Sequence, residues 1–174
     1  CAGGYFQGTF YLAVVWKDQP QSVTLLQGKS ISQLTVARCF DADAAVRTLS
    51  LTAEGETLLL GIHAEYLRIY DALKGTEIIA LKVKADSAVL NMVQDTRYLV
   101  ADGIITQLGM DWKPLDTCRL RAASTAEDEY ALERRDALEM ENRDCPGTIG
   151  GMLFCYRGWV YYACGDVFNR CGTP

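Results

Sequence analysis

Between residues 45 and 84 the sequence runs through four short apolar-rich segments, separated by turn-forming clusters. Residues 45–51 set Arg47, Leu49 and Leu51 on one side. Residues 57–62 are almost continuously apolar, as a strand buried on both faces requires. Residues 66–71 alternate Leu67 and Ile69 against Tyr66, Arg68 and Tyr70, and residues 77–83 place Ile79, Leu81 and Val83 together. Glu54-Gly55-Glu56 and Lys74-Gly75-Thr76 supply the turns. A period of two marks strands, and tight turns between successive strands give one antiparallel, up-and-down sheet. The same β pattern extends from residue 9 to about 120, broken at Lys17-Asp18-Gln19-Pro20, Gln27-Gly28-Lys29-Ser30 and Asp102-Gly103. The chain is expected to be mainly β.

Residues 49–60, with their Gly55 turn, and residues 67–78, with Tyr70-Asp71 closing a strand before Gly75, resemble one blade of a WD40-type β-propeller. Tyr70 stands where that family usually has Trp, and the family's Gly-His dipeptide is absent. A weaker second copy follows: Leu58 and Tyr98, and likewise Asp71 and Asp111, stand 40 residues apart, within the period of such repeats. Residues 9–39 fit a degenerate first unit. Two convincing units fall short of the roughly four to eight blades of a propeller. The alternatives are a truncated array, one completed by a partner, or a different sandwich or barrel with similar hairpins. The resemblance implies protein binding and predicts no chemistry.

The chain holds seven cysteines, too many for an ordinary cytosolic protein and odd in number. Setting Cys1 aside leaves six, enough for three disulfides. Cys1-Ala2-Gly3-Gly4 resembles the start of a mature bacterial lipoprotein, whose first cysteine carries a diacylglycerol; the alternative is an arbitrary boundary. The resemblance implies a periplasmic, membrane-anchored protein, and Ala2 leans towards the outer membrane. Gly3, Gly4 and Gly8 make residues 1–8 a lipidated tether. Of the disulfide cysteines, Cys39 is expected to pair with Cys118, and Cys145, Cys155, Cys164 and Cys171 among themselves.

After residue 121 the character changes. Ser124 and Glu127 occupy capping-box positions before a stretch without Gly or Pro, predicting a helix near 125–143. Its apolar stripe is thin, so it lies on the surface or reaches a partner. Segments 151–156 and 159–164 flank Arg157-Gly158 as a disulfide-stapled hairpin. Trp159, Tyr161 and Tyr162 either pack in this flap or serve as interface anchors. The organisation expected is therefore a tether over 1–8, a propeller-like body over 9–121, and a helix with a Cys-rich flap over 122–174.

Nothing in the sequence supplies a reaction. The single histidine, His63, has no Cys, Asp or Ser motif beside it and reads as structural. The cysteine spacings lack the short pairs of zinc sites, and phosphate loops and nucleophile elbows are absent. No metal, cofactor or catalytic residue is expected. The formal net charge of −5 argues against nucleic acid as a partner. The best reading is a non-catalytic lipoprotein, an accessory or scaffold subunit that contacts other subunits of an envelope complex and holds the membrane through its lipid. The alternative is a periplasmic immunity or inhibitor lipoprotein that binds a toxin or hydrolase.

Overall fold

The structure, a computed structural model, describes residues 1–119 and the backbone of three later strands within residues 152–171. Among the described residues, fifteen strands form four antiparallel sheets, each following chain order. Sheet 1 contains β1 (Ala2–Phe6), β2 (Thr9–Trp16), β3 (Gln19–Gly28) and β4 (Thr35–Asp41). Sheet 2 contains β5 (Thr48–Glu54), β6 (Thr57–His63), β7 (Leu67–Asp71) and β8 (Thr76–Leu81). Sheet 3 contains β9 (Ala88–Val93), β10 (Thr96–Ala101), β11 (Ile104–Leu108) and β12 (Pro114–Arg119). Sheet 4 contains β13 (Met152–Tyr156), β14 (Trp159–Cys164) and β15 (Val167–Cys171). The first strands stand in a row, β1 beside β5, β5 beside β9, and β9 beside β13.

The almost unbroken apolar run on β6 is explained by this stacking. Leu58, Leu60 and Ile62 point to sheet 1 and pack with Phe6, Tyr11, Ala13, Val23, Leu25 and Phe40. Leu59, with Leu67 and Ile69 of β7, points the other way and packs with Ala88, Leu90 and Leu108 of sheet 3. Sheet 2 is thus the filling between two apolar interfaces. Gly61 must lack a side chain, because a Cβ there would collide with the Ser50 hydroxyl on the neighbouring strand.

Three of the two-residue turns take left-handed backbone at both positions: Gln7-Gly8, Gln94-Asp95 and Asp102-Gly103. That geometry matches the right-handed twist of the strands it joins.

Side chains hold sheet 2 to sheet 3 at both ends. At one end, the β9 edge presents amides that no strand pairs. The Ala88 amide donates to Thr48 Oγ1 at 3.2 Å and the Leu90 amide to Ser50 Oγ at 3.1 Å. The Thr48 hydroxyl donates its own proton to the Ala88 carbonyl at 2.6 Å. His63 Nδ1 lies 3.4 Å from Thr48 Oγ1. A hydroxyl has one proton to give, so the imidazole must be the donor there. His63 therefore carries a proton on Nδ1, while its buried Nε2 has no partner among the described residues. Burial, and after it the Arg47 guanidinium, holds its pKa below 6.5, against the opposing pull of Asp102 and Asp86. At the other end, buried Arg97 of β10 grips Glu54 of β5 through Nε at 2.8 Å and Nη2 at 3.0 Å. Its Nη1 donates to the carbonyls of Gly109 and Met110 at 3.2 and 2.9 Å. Its guanidinium lies 4.0 Å from the centre of the Trp112 ring.

Several expectations are corrected. The glycines of residues 2–8 do not make a tether: Ala2–Phe6 is β1, paired with β2 throughout. Cys39 and Cys118 form no disulfide. Cys39 is an exposed free thiol on β4, whereas Cys118 lies on β12, and sheet 2 separates their sheets. A disulfide needs Cα atoms within about 7 Å. The C-terminal hairpin is present as β13 and β14, extended by β15, while the side chains that would form its expected staple lie outside the described residues. In its register Cys155 and Cys171 both stand opposite Val160, and Cys164 opposite Val167, so no cysteine faces another. Cys145 and the helix expected near 125–143 lie outside the described residues.

Two outcomes follow for stability. Replacing Arg97 with Met leaves Glu54 unpaired and partly buried, and should cost about 3 kcal/mol in urea unfolding. A loss below about 1 kcal/mol would show that the pair is not what locks the sheets. The His63 pKa is lower folded than unfolded, so the unfolded chain binds the extra proton first as pH falls. Stability should be full above about pH 6.5 and decline as pH drops below it. His63→Gln should flatten that part of the profile, and an unchanged slope would assign it to other groups.

Candidate interaction surfaces

The up-and-down order gives the array two ends. β5 and β9 run in the same direction, since Thr48 meets Ala88 and Ser50 meets Leu90. Pro20, at the start of β3, accepts from the Val46 amide just before β5, which aligns sheet 1 with them. Cys1, His63 and the turn at Asp102-Gly103 lie at one end. The turns joining third to fourth strands lie at the other.

Those third-to-fourth turns are built by their own polar residues. After β7, Asp71 Oδ1 accepts the amides of Leu73 and Lys74 at 3.2 and 2.9 Å, and its Oδ2 pairs with Lys74 Nζ at 2.9 Å. Burial raises the Asp71 pKa, but the Lys74 side chain and the turn amides outweigh it and hold the carboxyl below its ordinary range. Gly75 takes the left-handed conformation, and a Cβ there would strike the Arg38 side chain reaching over from sheet 1. Arg38 Nη2 donates to the Leu73 carbonyl at 2.9 Å. After β11 the same chemistry recurs 40 residues on: Asp111 Oδ1 accepts the Lys113 amide at 3.2 Å, and its Oδ2 pairs with Lys113 Nζ at 3.0 Å. These bonds with Lys113 hold the Asp111 carboxyl low. After β3 the equivalent link is a short 3-10 turn at Ile31–Gln33.

Beside these polar side chains, each turn also leaves one large apolar side chain exposed. Ile31 is 73% exposed, Leu73 39% and Met110 80%. Three equivalent links thus present a large apolar tip on one rim. The sequence reading missed them, although the signal was there: Leu73 is an apolar residue inside an Asp-to-Gly turn.

A cavity of ≈ 380 Å³ opens among the first strands β1, β5 and β9, where Cys1, Arg47, Thr48, Ser50 and Asn91 reach it. The Thr48 and Ser50 oxygens are already engaged with β9. His63 is fully buried and does not line it. On the outside of sheet 2, Arg68 bridges Asp43 at 3.1 Å and Glu77 at 2.7 Å. Glu77 and then Asp43 raise its pKa further above the ordinary value. This bridge ties the link from sheet 1 to the outer strands of sheet 2. Among the described residues no three His, Cys, Asp or Glu side chains gather closely enough to hold a metal ion, and no helix is long and apolar enough to cross a membrane.

Of the other residues singled out in the sequence, Cys1 is an exposed free thiol next to β1. Trp159, Tyr161 and Tyr162 lie on β14, the middle strand of sheet 4, and their side chains lie outside the described residues.

No known protein family matches the sequence, and no curated protein does. Solved structures do resemble the fold. Glutaminyl cyclase from Myxococcus xanthus superposes with a TM-score of 0.57 at 12% identity, over 97% of this chain and 63% of the cyclase. Hsv2 from Kluyveromyces lactis, with its loop 6CD replaced by a Gly-Ser linker, gives a TM-score of 0.49 at 13% identity, over 94% of this chain and 44% of that protein. The chain therefore spans less than two thirds of the length of either. Likeness to the cyclase, itself a propeller protein, shows the fold and nothing more: a mainly β chain whose antiparallel sheets are arranged like propeller blades.

Proposed function

We propose that this chain is a non-catalytic interaction scaffold that binds protein partners through the rim of third-to-fourth-strand turns. The observation that carries the reading is the repetition of Ile31, Leu73 and Met110 as exposed apolar tips on equivalent turns. In repeat architectures the links on one side of the array commonly form the binding surface, and exposed apolar side chains on a polar rim suit protein contact. Rigid turns favour this use, because the tips are ordered before binding and little entropy is lost on docking.

The same reading places a lipid on Cys1 and the protein in a bacterial envelope, as accessory subunit of a membrane-associated complex. The sequence Cys1-Ala2-Gly3-Gly4 and the exposed thiol support it. Cys1 lies at the end of the array opposite the apolar tips. A membrane at Cys1 would leave the tips facing away from the bilayer, towards soluble parts of a complex.

A photo-crosslinking residue at Met110 should capture a discrete protein adduct in cells, and one at Asp18, at the other end, should not. Met110→Asp or Ile31→Asp should weaken binding of that partner about 30-fold while leaving thermal unfolding unchanged. Equal labelling from both positions would sink the rim as the binding site. Cys1→Ser should move the protein from the membrane to the soluble fraction; if it stays with the membrane, the anchor is not at Cys1.

A further inference from the structure

Sheet 1 has a second face, turned away from sheet 2. The register identifies it. Tyr5 pairs with Phe10, Leu12 with Leu26, Leu26 with Val36, Val14 with Thr24, and Thr24 with Cys39. These rows alternate with the buried rows of Ala13, Val23, Leu25 and Phe40, so they occupy the opposite side. Trp16 joins them, since its Nε1 donates to Thr24 Oγ1 at 3.3 Å. Tyr5 is 70% exposed, Val36 64%, and Trp16 and Cys39 are also exposed. Along this face only Asp41, at its edge opposite Ser22, carries a charge.

A soluble antiparallel sheet with one face in the core ordinarily carries polar residues on the other. Here both faces of sheet 1 are apolar, which is the pattern of sheet 2, a sheet covered on both sides. We propose that the outer face of sheet 1 is an interface between two copies of this chain, packed face to face about a two-fold axis.

Three observations select a second copy as the occupant. The contact continues what this sequence already does twice, stacking one apolar sheet on the next. The face carries no lysine or arginine and a single peripheral carboxylate, so it meets its own copy without a charge clash, whereas a partner recognised by electrostatics would need charge here. Interfaces between identical subunits are more apolar than other interfaces, and two-fold pairing of one patch with itself is the commonest arrangement. The face lies on the side of sheet 1 away from sheets 2 and 3, so a dimer leaves Leu73 and Met110 open, while Tyr5 and Val36 stand at the same end of sheet 1 as Ile31.

The test is sedimentation velocity on the full chain without lipid, across the micromolar range. A concentration-dependent dimer is expected. Tyr5→Glu and Val36→Glu each alter an exposed side chain and should keep the far-ultraviolet circular dichroism and the unfolding midpoint. Each should weaken dimerisation at least tenfold, and the double variant should be monomeric. Met110→Asp should dimerise as the wild type does, which separates this interface from the rim. A wild-type chain that is monomeric throughout, or a dimer that the double variant preserves, overturns the proposal.

Discussion

Side-by-side stacking of sheets leaves the first strand of each with an edge that no further strand pairs. Buried amides on such an edge cost free energy unless something accepts from them. Thr48 and Ser50 solve this by reaching from β5 to the amides of β9. Much else adjusts to these two hydroxyls. Gly61 is bare to make room for Ser50. The Thr48 hydroxyl spends its proton on a carbonyl, so His63 is fixed in one tautomer. The apolar layer between sheets 2 and 3 then closes at a spacing these short side chains set. Arg97 performs the equivalent task at the far end, with its guanidinium shared among a carboxylate, two carbonyls and an indole.

Sheet 2 was largely legible in the sequence. Its alternation is clean because its neighbours are near in sequence and its turns carry Gly55 and Gly75. The doubly buried β6 was legible for the same reason: a run such as Leu58-Leu59-Leu60 has one economical explanation. Sheet 1 was read only in part. Glycine at positions 3 and 4 suggests flexibility when taken locally, yet β1 is held by its pairing with β2 and by packing of Phe6. Tertiary contact overrode composition there.

The polar devices were not legible. Arg97 and Glu54 are 43 residues apart in the chain, and nothing local marks either as buried. His63 is buried in the core, and its proton arrangement depends on Thr48, 15 residues away. The expected bridge between Cys39 and Cys118 failed for a related reason. Counting cysteines says how many bridges are possible, while the order of sheets decides which cysteines can meet, and sheet 2 stands between these two.

The order of strands within each sheet carries a kinetic consequence. Within each sheet every strand but the last pairs with its immediate successor through a short link, so the ladder closes only small loops. Chains with such local pairing pay little loop entropy before contacts form, and fold faster than Greek-key proteins of equal size. Each sheet can zip from its own hairpins before its neighbours arrive, leaving the docking of finished ladders as the slow event. A chain emerging from a ribosome would then assemble in discrete steps of about 40 residues, with each completed sheet serving as template for the next.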